Sequence, residues 1–261
     1  MTELIPGMLA TFVLFATGYR QFDMLKNGCI SDRIAVHLTL IGFVLTVGAV
    51  SLGLDANGGR PTTGLMGAML GALILLIILA TGRKQPVHVL LIGAAPLTGI
   101  FTFIVAVSSP LSNVAPISIQ TLTHIVISVA AYGAVAFSGI LAIFLGWHHA
   151  KLKQRPLQQI VASLPPLDGM EYLFLRSAQT AWFFLSAALL TGIIYIDDFW
   201  AQHLAHKTAL SGLAWLVTGF ALVQHSQQGG VTRSMRKTSI GAAALLFVGY
   251  LGSKAILEFI L

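Results

Sequence analysis

Long runs without a single Asp, Glu, Lys or Arg decide what this chain can fold into. Ile34 to Leu54, Pro61 to Gly82, Ser177 to Ile196 and Thr208 to Thr232 are each charge-free, and each can carry a helix across a bilayer core, which takes about 20 residues. The charge-free run from Gln85 to Ala150 is about three times that length. Ser108-Ser109-Pro110 through Asn113 to Pro116 divides it in two, because proline and polar turn formers interrupt a helix. Leu4 to Tyr19 and Thr238 to Phe259 add a span at each end. With 56% hydrophobic and only 9% charged residues, the composition lies outside that of soluble globular chains. The pattern predicts an all-α, polytopic integral membrane protein with eight transmembrane helices, forming a single membrane domain over residues 1–261.

Lys and Arg set the expected orientation, since cytoplasmic loops carry the excess. Arg20, Lys26, Arg33, Arg83, Lys84, Lys151, Lys153, Arg155, Arg176, Arg233, Arg236 and Lys237 follow the odd-numbered spans, while the opposite side holds Arg60, Lys207 and Lys254. Such a bias requires both termini on the outer, periplasmic side. The net charge of +6 then reports topology and not nucleic-acid binding, and the basic loops also suit anionic lipid. Leu4 to Tyr19 lacks a basic leader region and a small-residue cleavage pattern, so this first span is expected to be retained. Cys29, alone in a predicted cytoplasmic loop, leaves no disulfide framework, no thiol-exchange pair and no Cys-x-x-Cys-His haem attachment site.

Other features read as architecture. Gly67 and Gly71 have the spacing that lets helix backbones approach closely, and plain packing is the expectation for them. Gly93, Pro96 and Gly99 could loosen the fourth span as in the broken helices of transporters, but a tolerated kink is expected. Leu157 to Leu164 is expected to form a short interfacial helix in the longest loop, Ala150 to Glu171, ended by Pro165-Pro166. Lys254 and Glu258, four apart, are expected to neutralise one another. No Asp or Glu falls at mid-depth in any span, which argues against a proton- or cation-coupled carrier built on buried carboxylates. No nucleophile and base pair is visible either, so no enzyme activity is expected.

Histidine is the one titratable type placed with some regularity: the 8 histidines fall near the ends of apolar segments. In the predicted topology His124, His203 and His206 lie toward the outer face, and His37, His88, His148, His149 and His225 toward the cytoplasmic one. A histidine at such a depth ligates a metal or haem iron, titrates near neutral pH, or bridges lipid and water. Taken singly, His88, His148 and His149 read as interfacial residues with their rings at the headgroup level. His203 and His206, three apart in the outer loop, are weak evidence for a metal site.

The run THIVISVAAYGAVAFSGILAIFL from Thr123, then LPPLDGMEYLFLR from Leu164 with Thr191-Gly192 closing the same helix, then HKTALSGLAWLV from His206 and His225 at that helix's end, resembles the cytochrome c assembly family of CcsA-type membrane proteins. Its short YpjD-like branch, of eight-span bacterial inner-membrane proteins, fits best. The resemblance covers about residues 120–253, and the N-terminal half matches in span pattern alone. It implies haem handling: His124 matches a histidine near the outer surface that serves as an axial ligand, and His225 a membrane-embedded histidine that holds haem from the cytoplasmic side. Lys207 and Trp215 match residues of the tract following the family's tryptophan-rich outer loop. Neutral imidazole binds haem iron axially, apolar helices hold the porphyrin, and basic residues meet the propionates.

Three departures accompany the match. The tryptophan-rich loop is reduced to IDDFWAQHLAH with Trp200 alone, the chain ends at Leu261 about where a second external histidine would stand, and Thr46 occupies a ligand position of the second span. His203 or His206 is the expected substitute partner for His124, and His37 for His225. Haem binding or handling without turnover chemistry is the leading expectation, with the lipid bilayer and other cytochrome assembly proteins as partners. The alternatives are a regulatory or scaffolding membrane subunit that has lost haem handling, and a small-molecule transporter.

Overall fold

The computed structural model of the chain describes residues 4–27, 33–82, 87–109, 117–154, 166–195 and 202–252. All regular structure there is helical: α1 (Leu4–Lys26), α2 (Arg33–Ala56), α3 (Thr63–Thr81), a 3-10 turn (Val87–Leu90) leading into α4 (Leu91–Val107), α5 (Ile119–Gln154), α6 (Leu167–Tyr195), α7 (Gln202–Gln228), α8 (Arg233–Leu246) and a closing π-helical segment, Phe247–Gly252. Five of these are long and apolar enough on their own to cross a membrane: α2, α3, α4 with its leading turn, α5 and α6. The others fall short for visible reasons. The apolar run of α1 stops at Arg20, α7 mixes Gln, Ser and His into its length, and α8 opens with Arg233, Arg236 and Lys237.

Helix ends follow local chemistry. Thr62 caps α3, its hydroxyl accepting from the Leu65 N–H, and Thr232 caps α8 by accepting from Met235. Asn57, Gly58 and Gly59 turn the chain between α2 and α3, both glycines at positive φ (59° and 81°), where a side chain would be strained. Gly229 (φ 70°) ends α7, its N–H donating to the His225 carbonyl, and only Gly229 to Thr232 separate α7 from α8. The expected break between the fourth and fifth spans falls between Val107 and Ile119.

Several boundaries differ from expectation: α1 runs on to Lys26 and α5 to Gln154, past the expected span ends. α6 begins at Leu167, so the segment expected as loop up to Glu171 is helical; Asp168 in its first turn complements the helix dipole. α7 begins at Gln202, which puts His203 and His206 on a first helical turn and not in a loop. The expected interfacial helix at 157–164, the Lys254–Glu258 pair, Cys29 and Trp200 lie outside the described residues.

The chain forms two compact units, Met1–Ile117 with Lys151–Pro165, and Ser118–Ala150 with Pro166–Leu261. In the first, α4 packs against α1, α3 and α2, and α2 also contacts α1 and α3. Small residues make these approaches possible. A Cβ on Gly67 would strike the Phe101 ring and one on Gly71 the Thr98 side chain, so the glycine pair of α3 seats α4. Val50, Leu65, Ala68 and Val105 form a buried cluster beside Phe101. α4 passes through Pro96 without interruption, and Gly18 lets α1 lie against that ring. Buried threonines return their hydroxyl protons to carbonyls one turn back, as Thr39, Thr46, Thr98 and Thr102 do, so no hydroxyl there faces hydrocarbon unsatisfied. Phe12 (75% exposed) and Tyr19 (74%) stand outward on α1, as a lipid-facing surface allows.

In the second unit, Ala131, Ala134, Val135, Ala181, Leu185, Ala188, Ala214, Ala242 and Leu246 make a small-residue core joining α5, α6, α7 and α8. Alanine-rich faces bring the helices close enough for short polar side chains to meet across them.

Candidate functional site

At the end of the second unit where α5 begins and α6 ends, His124 meets Thr191, with Nδ1 3.0 Å from the threonine Oγ1. Thr191 has one hydroxyl proton, and its oxygen also lies 2.9 Å from the Ala187 carbonyl and 3.1 Å from that of Ala188, both of which only accept. With that proton on a carbonyl, Thr191 accepts from His124 Nδ1; with it on Nδ1, the ring carries its hydrogen on Nε2. Nε2 lies 3.4 Å from the hydroxyl of buried Ser128 one turn further along α5.

The polar contacts continue along the same helices. Tyr132, a second turn on, lies with its hydroxyl 3.3 Å from that of Ser211 on α7. The Trp215 Nε1–H of α7 donates to the Ser186 hydroxyl of α6 at 2.7 Å, and its ring stacks on Trp182 at 5.6 Å between centroids, 17° from parallel. Gly219 leaves room for Trp182, whose Nε1 would lie 2.8 Å from a Cβ there. His124, Ser128 and Tyr132 thus form an i, i+4, i+8 row facing α6 and α7.

His225 stands at the opposite end of the unit, at the close of α7. Its Nδ1 lies 3.1 Å from the Gly230 carbonyl. A carbonyl only accepts, so this ring donates from Nδ1. The contact closes the turn between α7 and α8. At the same end His149 is held from both sides, Nδ1 2.8 Å from the Leu145 carbonyl and Nε2 3.5 Å from the Glu171 carboxylate, with the Arg236 guanidinium 3.4 Å from Nδ1. Arg176 nearby donates to the Tyr172 hydroxyl and lies over its ring.

The other histidines are placed differently. His88 (6% exposed) and His148 (3%) are buried, each with an Nδ1 that has no hydrogen-bond partner. Both rings are covered by protein: the His88 ring packs against Gly82 and that of His148 beside Phe144. His37 is exposed on α2, in the first unit. The side chains of His203 and His206 lie outside the described residues. Lys207, half-buried just before the charge-free run of α7, has its ammonium pKa lowered by burial. Thr46 is fully buried and donates to the Gly42 carbonyl, so its hydroxyl is engaged within its own helix.

The residue type at His124 and His225 suits haem iron, since imidazole is an axial ligand and each ring is held by a neighbour at Nδ1. A shallow half-open hollow among the described residues of the second unit is lined by Val135, Ser138, Ala181, Thr218, Ser239 and Ala242, and neither histidine lines it. No group of three or more His, Cys, Asp or Glu fit to hold a bare metal ion occurs among the described residues.

Sequence reasoning singled out His124, His225 and Trp215 but missed Ser128, Ser186 and Trp182, and saw Thr191 as a landmark without its role. The i, i+4 spacing of His124 and Ser128 was the one local signal available.

Comparison with known proteins agrees with the family resemblance of the second unit and extends beyond it. The chain is 27% identical over 139 residues to the inner membrane protein YpjD of Escherichia coli K12, an alignment covering 53% of this chain and 52% of that one. A 28.8 kDa protein encoded in a nifR3-like 5′ region of Azospirillum brasilense is 26% identical over 140 residues, with the same coverage. The chain thus spans about half the length of the curated relatives it matches. The family model described as cytochrome c assembly protein matches residues 61–261, so it takes in α3 and α4, where the resemblance read from the sequence had rested on span pattern alone. With most of its length matched, the chain belongs to the cytochrome c assembly protein family.

Proposed function

We propose that this multi-pass bacterial inner-membrane protein binds or handles haem through His124 and His225, one toward each membrane face, in an eight-span topology with both termini outside. The observation that carries the reading is that each ring is held at Nδ1, by the Thr191 hydroxyl or the Gly230 carbonyl. Metal-ligating histidines are held through one nitrogen by their neighbours in this way. His149 differs because its Nε2 faces the Glu171 carboxylate, and His88 and His148 differ because their Nδ1 atoms are unanchored.

Haem, when bound, supplies an iron that takes axial imidazole nitrogen. The chain's part is to present that nitrogen, exclude water with apolar helices and meet the propionates with basic residues, Lys207 among them on the outer side. His203 and His206, on the first turn of α7, are the candidates to complete the outer ligand pair. His37, exposed on the first unit, is the weaker candidate on the inner side. Nothing in this arrangement requires turnover chemistry.

The test is an absorption spectrum of the protein purified in detergent and titrated with haem. A Soret band of low-spin haem is expected for the wild type, reduced in His124→Ala and in His225→Ala and lost in the double variant. Wild-type haem retention by the double variant overturns the proposal, and no band under any condition leaves the scaffolding role in its place.

A further inference from the structure

We infer that Thr191 is a positioning residue that fixes Nε2 as the ligating nitrogen of His124, and that Ser128 occupies that nitrogen until a ligand displaces it. The assignment rests on the proposed haem role of His124 for its purpose, but its chemistry stands on the geometry of α5 and α6. An imidazole can present either nitrogen, and which one carries the lone pair is set by the hydrogen bond the other makes. Here Nδ1 faces the Thr191 oxygen, whose single proton has the Ala187 and Ala188 carbonyls within reach. On this assignment that proton goes to a carbonyl, the ring donates from Nδ1, and Nε2 keeps the lone pair. The opposite tautomer would take the threonine proton on Nδ1 and donate from Nε2 to Ser128.

Ser128 bears on the other nitrogen. Its oxygen is 3.4 Å from Nε2, and its side chain is 8% exposed, so its proton has few acceptors to choose from. One alternative is always at hand, because a helical serine can turn its hydroxyl to the carbonyl four residues back, here that of His124 itself. An incoming ligand can therefore take Nε2 while Ser128 keeps a hydrogen bond. Thr191 promotes ligation, and Ser128 competes with it.

Two substitutions have opposite expected effects. Thr191→Val keeps the shape of the side chain and removes the acceptor, so both tautomers become populated and haem affinity at His124 should fall by about 10-fold, the lower end of what orienting partners of metal ligands supply. Thr191→Ser restores the acceptor and should restore wild-type behaviour. Ser128→Ala removes the competitor and should raise affinity severalfold, on the order of the roughly 5-fold that one ordinary hydrogen bond is worth.

The deciding experiment needs no haem. In full-length, [15N]histidine-labelled protein in detergent micelles, with the His124 signals identified by their loss in His124→Gln, Nδ1 should have the chemical shift of a protonated ring nitrogen and Nε2 that of an unprotonated one. Thr191→Val should move both toward the averaged values of a tautomer mixture, and Thr191→Ser should not. A wild-type ring protonated on Nε2, or a spectrum unmoved by Thr191→Val, overturns the role of Thr191. Haem titration of Ser128→Ala then tests the second part, which unchanged or weakened binding overturns. Failure of the wild type to bind haem would count against the proposed function while leaving the tautomer result standing.

Discussion

At the scale of single residues, the second unit is held by polar contacts that join one helix to another. The Trp215 indole and Ser186 hydroxyl are the shortest of these, at 2.7 Å across α6 and α7. Removing the donor with Trp215→Phe, which keeps an aromatic ring against Trp182, should cost about 0.5–1.5 kcal/mol, the usual range for one hydrogen bond and close to values for polar pairs between membrane helices. If the pair acts as a unit, Ser186→Ala should add little in the Trp215→Phe background. A double-mutant cycle on thermal unfolding in detergent measures this, and equal Ser186→Ala costs in both backgrounds would show that the contact contributes nothing. The same pairings mark the limit of what the sequence could reveal about the site. His124 and His225 stood out by residue type, depth and resemblance. Thr191, 67 residues from its partner, could be noticed only as half of a Thr-Gly landmark, and Ser186 and Ser211 were serines among many. Pairing across helices depends on which faces meet, and single-helix periodicity does not encode that.

At the scale of elements, helix approach in the first unit depends on where glycine faces a neighbour and where it faces open space. Gly71 of α3 lies directly on Thr98 of α4, whereas Gly93 of α4 has nothing within 4 Å of a Cβ built on it. Gly71→Ala must push α3 and α4 apart or force Thr98 from its rotamer, at about 1–3 kcal/mol by analogy with overpacked cores. Gly93→Ala meets no obstacle and relieves glycine's backbone entropy cost, so it should equal or exceed wild type by up to about 1 kcal/mol. Thermal unfolding of the two variants in detergent checks the contrast, and a destabilised Gly93→Ala beside a neutral Gly71→Ala would invert it. Helix positions were legible in the sequence because charge-free length and the Ser108 to Pro116 break are properties of the chain alone. Helix extents were less so. The charged and polar residues that open α6 and α7 read as loop, yet a helix continues past the apolar run whenever its backbone hydrogen bonds stay the best available, and Pro166, whose carbonyl accepts from the Met170 N–H, starts α6 at the next residue.

For the whole molecule, the distribution of Lys and Arg makes the strongest statement, because all but Arg60, Lys207 and Lys254 fall on one side of the expected topology. In the proposed topology Arg60, in the turn between α2 and α3, belongs to the face with few basic residues, and Arg176, early in α6, to the face with many. Both side chains are exposed, so a cysteine at either position is open to a water-soluble reagent on its own side of the membrane. With the native thiol removed by Cys29→Ser, Arg60→Cys should react with a membrane-impermeant maleimide added to intact spheroplasts, and Arg176→Cys only after the membrane is permeabilised. Cys29 in the otherwise native chain should behave like Arg176→Cys, since it follows the first span. The three positions also test the parity of crossings between them: an odd number must separate Arg60 from Cys29 and from Arg176, as one crossing by α2 and three by α3 to α5 supply. Labelling of Arg60 and Arg176 from the same side would make the second number even and overturn the eight-span topology.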